Sequence, residues 1–431
     1  MTMEVNTVIA INCVPEYVDK TICNFWRIVA KKMDEEGYVL ILLSTTEINI
    51  PGLKVVPLPY LMTDFLRVKI SKRNKKIDKA EISDVMQWYG CSCRIAYKSL
   101  SAAYDYFSDV LEAFRPSSVI GWQSMNPVMR VLRNEAQVRD IPLWFGERGW
   151  VRHSLMFDVC ENNYLSEINR SFTIDRVLRK YVPAPRTIEY LRNKSNGEHD
   201  LSRYDAARDI SKEELKEKYG ISEEKKIVTI FTHGEPHLNT LYRSAIRDAH
   251  DISSEKMQSR VMEVAASFVR KGFCVLVQEH PFNEINNKKI DISFSDDVIE
   301  VKENVASLLS ASDCFLFTLT TIQFDAIFFG KPFGLLSKSP LYHDGVPPFI
   351  GDFDSVDSFV DTIISGRNWG TIKEALEKYA AFLYENFLLD IEEDKISESA
   401  DIFVSHLTRF SRPVDGNLDD RLMEFSEKWL S

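Results

Sequence analysis

Short, largely apolar runs of strand length recur along the chain, and amphipathic stretches of helix length follow several of them. Thr7–Asn12 (TVIAIN), Val39–Leu43, Ser118–Trp122, Lys226–Phe231 (KIVTIF), Phe273–Gln278 (FCVLVQ) and Asp313–Phe317 suit strands buried on both faces. Lys54–Leu58, Pro142–Phe145, Val298–Val301 and Phe333–Leu336 read as further, shorter strands. Between them the spacing predicts helices over Asp19–Glu36, Arg94–Phe114, Pro127–Arg139, Ser254–Lys271 and Ile322–Phe329. Strands that alternate with helices must run mostly parallel, with helices covering both faces of the sheet. With 431 residues the chain exceeds one ordinary core, so two Rossmann-like α/β domains are expected. The first spans 1–195 and the second 225–395, joined by a polar connection at 196–224 that begins near SNGEHD. The text after Ser355 reads as helical, with C-terminal helices over 396–431, and Asp419–Leu430 suits a return to the first domain. Met62–Gly90 is expected to be a long, irregular, partly basic loop.

Net charge is -11, which argues against a nucleic-acid partner held through a basic surface. One basic run, Lys69–Lys79, stands against that balance and reads as a solvated loop or as a docking patch for an anionic acceptor or lipid. The seven cysteines are scattered. Cys91 and Cys93 are the one close pair, with no second pair at metal-ligand spacing, so no metal site is expected. Cys13, Cys274 and Cys314 lie in apolar runs and read as buried strand residues. The N-terminus lacks a basic segment followed by an apolar core, and no apolar run approaches membrane-spanning length. The expected location is the cytoplasm, with a membrane surface as a peripheral partner.

Four stretches carry residues suited to chemistry. Gln278-Glu279-His280-Pro281 follows a strand, where ligands of open α/β sheets bind, and a histidine there can bond a phosphate or protonate a leaving oxygen. Thr318, Thr320 and Thr321, followed by Gln323, stand where the next strand ends and a helix begins, a setting for phosphate on free backbone N–H groups or for simple capping. That helix ends in Gly330-Lys331-Pro332, which turns into another strand. Glu147 and Arg148, between Gly146 and Gly149, read as a carboxylate and a guanidinium in a tight turn open to a ligand, or as a surface ion pair. His233, Glu235 and His237 cluster after the first strand of the second domain; without a distant third ligand they suit catalysis or ligand orientation better than a metal. Asp352-Phe353-Asp354 matches an Asp-x-Asp pattern, but Asp354 reads as a helix cap.

Taken together, GERGWVRHSLMFD (146–158), THGEPHLN (232–239), QEHP (278–281) and TLTTIQFDAIFFGKP (318–332) resemble the capsule-polysaccharide biosynthesis family that contains the bacterial retaining β-Kdo transferases. The resemblance implies a GT-B-like fold, two Rossmann-like domains facing a cleft. It implies transfer of β-Kdo, with retention, from CMP-β-Kdo to a capsule, O-antigen or lipid-linked glycan. No cofactor beyond the donor substrate is implied. Carried over, His280 and Pro281 hold the cytidylate phosphate with Thr320 and Thr321, while Arg148 or Lys331 meets the sugar carboxylate. Glu147 serves as acid/base or positions the acceptor. Glu235, or Glu147, is the carboxylate that a covalent retaining route requires, with His237 standing where the family has an aspartate. Asp325 likewise replaces the family glutamate before Ala326. Two other readings remain open: a GT-B transferase using CMP-sialic acid or a UDP/GDP-sugar, and an inactive GT-B scaffold of a polysaccharide assembly complex.

Overall fold

The computed structural model describes residues 6–12, 20–45, 53–59, 77–123, 126–158, 166, 173–196, 210–233, 250–280, 290, 292 and 295–410. The chain divides into two compact units. Unit 1 holds residues 1–149, 153–162 and 388–431, and unit 2 holds 150–152 and 163–387.

In unit 1, β1 (Asn6–Asn12), β2 (Tyr38–Ser44), β3 (Lys54–Pro57), β4 (Ser118–Trp122), β5 (Leu143–Arg148), β6 (Ser154–Asp158) and β12 (Leu388–Asp390) form one seven-stranded sheet. Its order is β12-β6-β5-β4-β1-β2-β3. The first five strands in sequence are parallel in the order 3-2-1-4-5, while β6 is antiparallel to both β5 and β12. Val8 to Ile11 of β1 and Ile41 to Leu43 of β2 are fully buried, as strands covered on both faces must be. The covering helices include α1 (Lys20–Glu35), α2 (Lys79–Tyr89), α3 (Cys93–Phe114) and α4 (Pro127–Val138). Helix α2 falls inside the stretch expected to be irregular. Its Asp78 and Glu81 form a capping box, so the start signal was present but outweighed by the basic text before it.

Unit 2 opens with α5 (Ile174–Leu178) and α6 (Pro185–Asn196), then α7 (Lys212–Lys218), whose Ser211 and Glu214 form a second capping box. Its strands are β7 (Lys226–Phe231), β8 (Phe273–Gln278), β9 (Val298–Glu300), β10 (Cys314–Phe317) and β11 (Phe333–Leu335). They form a wholly parallel sheet, β11-β10-β7-β8-β9. Numbered within the unit, that order is again 3-2-1-4-5. Helices α8 (Ser254–Arg270), α9 (Val305–Ala311) and α10 (Ile322–Phe328) connect these strands, and α11 (Val356–Ser365) and α12 (Trp369–Asn386) follow. Each unit is therefore Rossmann-like, as the expectation of two α/β domains required. Cys274 and Cys314 lie buried in β8 and β10 as expected; Cys13 and most of the Lys69–Lys79 run lie outside the described residues.

The units divide elsewhere than the composition suggested. Residues 163–196 group with unit 2, and the chain re-enters unit 1 at Leu388. There β12 pairs with β6, and α13 (Ile396–Phe410) lays Phe403 against Phe25, Trp26 and Phe157 of unit 1. The Asp419–Leu430 segment lies outside the described residues.

Candidate functional site

Parallel strands aim their carboxyl ends the same way, and ligands of such sheets gather where the strand order reverses. In unit 2 that reversal lies between β7 and β10. Phe231 is paired with Gln278 on one side and with Phe317 on the other, so the three strands end level. The rings of Phe231 and Phe317 stack at 5.4 Å, and both are fully buried.

The residues that leave these strands are tied to one another. Thr318 N–H donates to Phe231 O at 3.1 Å, and Thr232 N–H to Gln278 O at 3.1 Å. His233 Nδ1 lies 3.1 Å from Thr318 Oγ1, and both side chains are buried. His280 N–H donates to Thr232 Oγ1 at 3.2 Å. His233, His280 and Thr318 are thus brought to one end of the sheet, at the strand-order reversal. Thr320 is half-buried, and its hydroxyl accepts from Ile322 N–H at 3.4 Å. Thr321 is exposed, and its hydroxyl makes no cap to α10. With only seven residues, α10 supplies a small dipole, so the hydroxyls and histidines outweigh it at this end.

Three residues expected to contact the donor have structural partners instead. Gln278 spends its side chain on Glu303: Nε2 donates to the carbonyl at 2.9 Å and Oε1 accepts from the N–H at 3.3 Å. Gln323 is buried and its Oε1 accepts from Ser339 Oγ at 2.6 Å. Lys331 precedes β11, at the opposite end of the sheet, where its ammonium donates to Leu309 O at 3.1 Å and to Ser310 O. It closes the last turn of α9, as a cation at a helix C-terminus does. Glu235, His237 and Pro281 lie outside the described residues.

Glu147 and Arg148 sit in unit 1, and not in a turn. They are the last residues of β5, paired with Met156 and Leu155 of β6. The strand runs three residues past its expected end because β6 provides an antiparallel partner. The turn is the next stretch, closed by Gly149 N–H to Ser154 O at 2.7 Å. Nor do the flanking glycines make room for a ligand. A Cβ on Gly146 would meet Phe157 at 2.7 Å, and one on Gly149 would meet Ser154 Oγ at 2.1 Å. Both are required by the close approach of β6.

Glu147 itself stands out. Its Oε2 is shut off from water and has no hydrogen-bond partner among the described residues. Desolvation pushes its pKa up to about 7. A carboxyl group poised there exchanges protons at neutral pH, the property of a general acid or base.

Sequence reasoning gave no role to the residues right after it. Trp150, Val151 and Arg152 belong to unit 2. The Trp150 ring stacks on Phe324 at 5.6 Å, and Arg152 Nε lies 3.6 Å from Asp325 Oδ1. Both sit within the 146–158 stretch, but only the fold pairs them with α10. Asp354 does not cap α11; Ser355 does, while Asp352 accepts from the Tyr342 hydroxyl at 3.0 Å. Among the described residues no group of three His, Cys, Asp or Glu is placed to hold a metal ion. Nor, among them, is any helix long and apolar enough to cross a membrane.

No protein-family model and no curated protein sequence matches the chain. Among solved structures, it is similar to S. aureus MnaA with UDP, at TM-score 0.40 and 12% identity over 96% of this chain and 100% of that one. It is similar to the UDP-GlcNAc 2-epimerase of Neisseria meningitidis bound to UDP-GlcNAc, at 0.39 and 13% over 94% and 100%. It is also similar to Thermosulfurimonas dismutans KpsC, a beta Kdo 2,4 transferase, at 0.35 and 16% over 52% of this chain and 69% of that one. Likenesses this distant carry no argument about the reaction, and the fold assignment stands on the two sheets themselves.

Proposed function

We propose that the chain is a glycosyltransferase that moves β-Kdo from CMP-β-Kdo to a bacterial surface glycan, with retention. The observation that carries the reading is the cluster at the carboxyl ends of β7, β8 and β10, where two hydrogen bonds gather His233, His280 and the threonine turn. A phosphate seated there meets the hydroxyls of Thr320 and Thr321 and the ring of His280.

The reaction breaks the bond between the anomeric carbon and the phosphate oxygen and forms one to an acceptor hydroxyl. Negative charge grows on the departing CMP, and donors fixed in place stabilise it without reorganising, each by about 3 kcal/mol in a dry site. Glu147, whose pKa burial pushes up to about 7, is the proposed acid/base for the acceptor proton. For a covalent retaining route, Glu235 is the proposed nucleophile. His237 and Pro281 complete the proposed donor turns. Arg148 is retained as a candidate partner for the sugar carboxylate, whereas Lys331, Gln278 and Gln323 support the scaffold. The acceptor is a glycan or glycolipid, and work at the cytoplasmic inner membrane face is part of the proposal.

The test is turnover of CMP-Kdo, CMP-sialic acid and UDP- and GDP-sugars by the full chain, followed by mass spectrometry. Release of CMP from CMP-Kdo, with Kdo passed to a glycan acceptor, supports the reading. Turnover of another donor alone removes Kdo. Nucleotide binding without any turnover points to an inactive scaffold.

A further inference from the structure

The proposed donor carries two anionic groups, a phosphodiester and a sugar carboxylate, and Lys331 is engaged at the wrong end of the sheet. A different lysine stands at the right end. β11 runs beside β10 with Leu335 opposite Phe317, and Leu336 N–H still donates to Phe317 O at 2.7 Å. Ser337 and Lys338 therefore leave the sheet next to the turn that begins at Thr318.

This segment is held firmly. Lys338 N–H donates to His250 O at 2.9 Å, and His250 Nδ1 lies 3.1 Å from Lys338 O. Since a carbonyl only accepts, that ring nitrogen carries the proton. Arg260 donates to Leu336 O at 2.8 Å and to Asp251 Oδ2 at 2.7 Å.

The Lys338 ammonium is treated differently from its neighbours. It stands 5.3 Å from the Tyr342 ring centroid and 5.9 Å from that of Phe349. The carboxylate of Asp251 is taken by Lys256 and Arg260. Lys338 itself is half-buried and makes no ion pair or ammonium hydrogen bond among the described residues. Just before it, Ser337 is fully buried, and its hydroxyl lacks a hydrogen-bond partner among them. A cation on a fixed backbone, over aromatic faces and without a counter-ion among the described residues, is a ready partner for an anion.

We propose that Lys338 pairs with an oxyanion of the nucleotide-sugar donor, making it a donor-binding residue of the proposed transferase. The inference rests on the donor reading above. It places a donor-binding cation at Lys338, where the sequence offered Arg148 or Lys331 for the sugar carboxylate.

The experiment is calorimetric titration of the full chain with cytidine, CMP and CMP-Kdo, and with UDP and UDP-GlcNAc. Wild type, Lys338→Gln, Lys338→Arg and Lys331→Gln are compared at fixed salt. Lys338→Gln should weaken the anionic ligands by about tenfold or more and leave cytidine unchanged, and Lys338→Arg should restore most of the affinity. Equal losses with CMP and CMP-Kdo assign the phosphate, and a loss with CMP-Kdo alone assigns the sugar carboxylate. Wild-type nucleotide binding that survives Lys338→Gln unchanged overturns this inference and spares the donor reading. Failure of the wild type to bind any of the nucleotides overturns both. Should Lys338→Gln fail to fold, the Lys338→Arg variant and the salt dependence of wild-type CMP affinity decide: affinity independent of salt overturns the pairing.

Discussion

Glu147 makes a double claim at the scale of a single residue, because burial that suits it to proton transfer also costs stability. Its pKa rises from 4.5 to about 7 on folding, so below 4.5 the group is neutral in both states and costs nothing. Between those values the folded form holds a proton that the unfolded form has lost, and stability falls as pH climbs through 7. The full cost, about 3 kcal/mol, is felt above that range. Glu147→Gln should therefore raise the melting temperature at pH 8 and leave it nearly unchanged at pH 4.5. The same variant should lose turnover, and the wild-type rise in rate through pH 7 should flatten. A variant no more stable than wild type at pH 8 would mean that the carboxyl group is solvated after all. Lys331 predicts the reverse pattern. Lys331→Ala uncaps α9 and should cost about 1 kcal/mol on thermal melting, with donor affinity intact. Both residues carried sequence signals, but neither environment could be read there. The pKa of Glu147 depends on what covers it, and Lys331 lies at the far end of a strand too short to show its direction.

At the scale of elements, the strands buried on both faces were the most legible part of the chain. β1, β2, β4, β7, β8 and β10 appear within a residue or so of the apolar runs that announced them. Such runs can satisfy their backbone only inside a sheet, so the sequence leaves them little choice. β6 was missed because it is short, SLMFD, and its partner is β5 by antiparallel pairing rather than by a crossover helix. That omission misplaced Glu147 and Arg148 in a turn and gave the glycines a ligand-facing purpose. Gly146→Ala tests the corrected view. A methyl group there meets Phe157 at 2.7 Å, so the variant should lose about 1–3 kcal/mol of stability through overpacking. A glycine kept open for ligand would instead lose affinity with its melting temperature unchanged.

Over the whole molecule, the repeated 3-2-1-4-5 strand order explains why fold class was readable and unit boundaries were not. The alternation of strand and helix fixes the class locally, whereas the return of residues 388–410 to unit 1 depends on pairing with β6 over two hundred residues away in sequence. Two leucines and an aspartate, Leu388 to Asp390, give no local sign of that partner. Truncation after Phe387 removes β12 and α13 and bares the Phe25, Trp26 and Phe157 cluster. Hydrogen exchange should then show α1 and β6 unprotected and β7, β8 and β10 still protected. Equal loss in both units would mean that they fold as one.

The donor site in unit 2 is tested most directly by a crystal structure of the full chain with CMP. The phosphorus should lie beyond the carboxyl ends of β7 and β10, with oxygens in hydrogen-bond reach of His280 and of Thr320 or Thr321. A phosphate bound elsewhere, or that end of the sheet filled by side chains with CMP excluded, would contradict it.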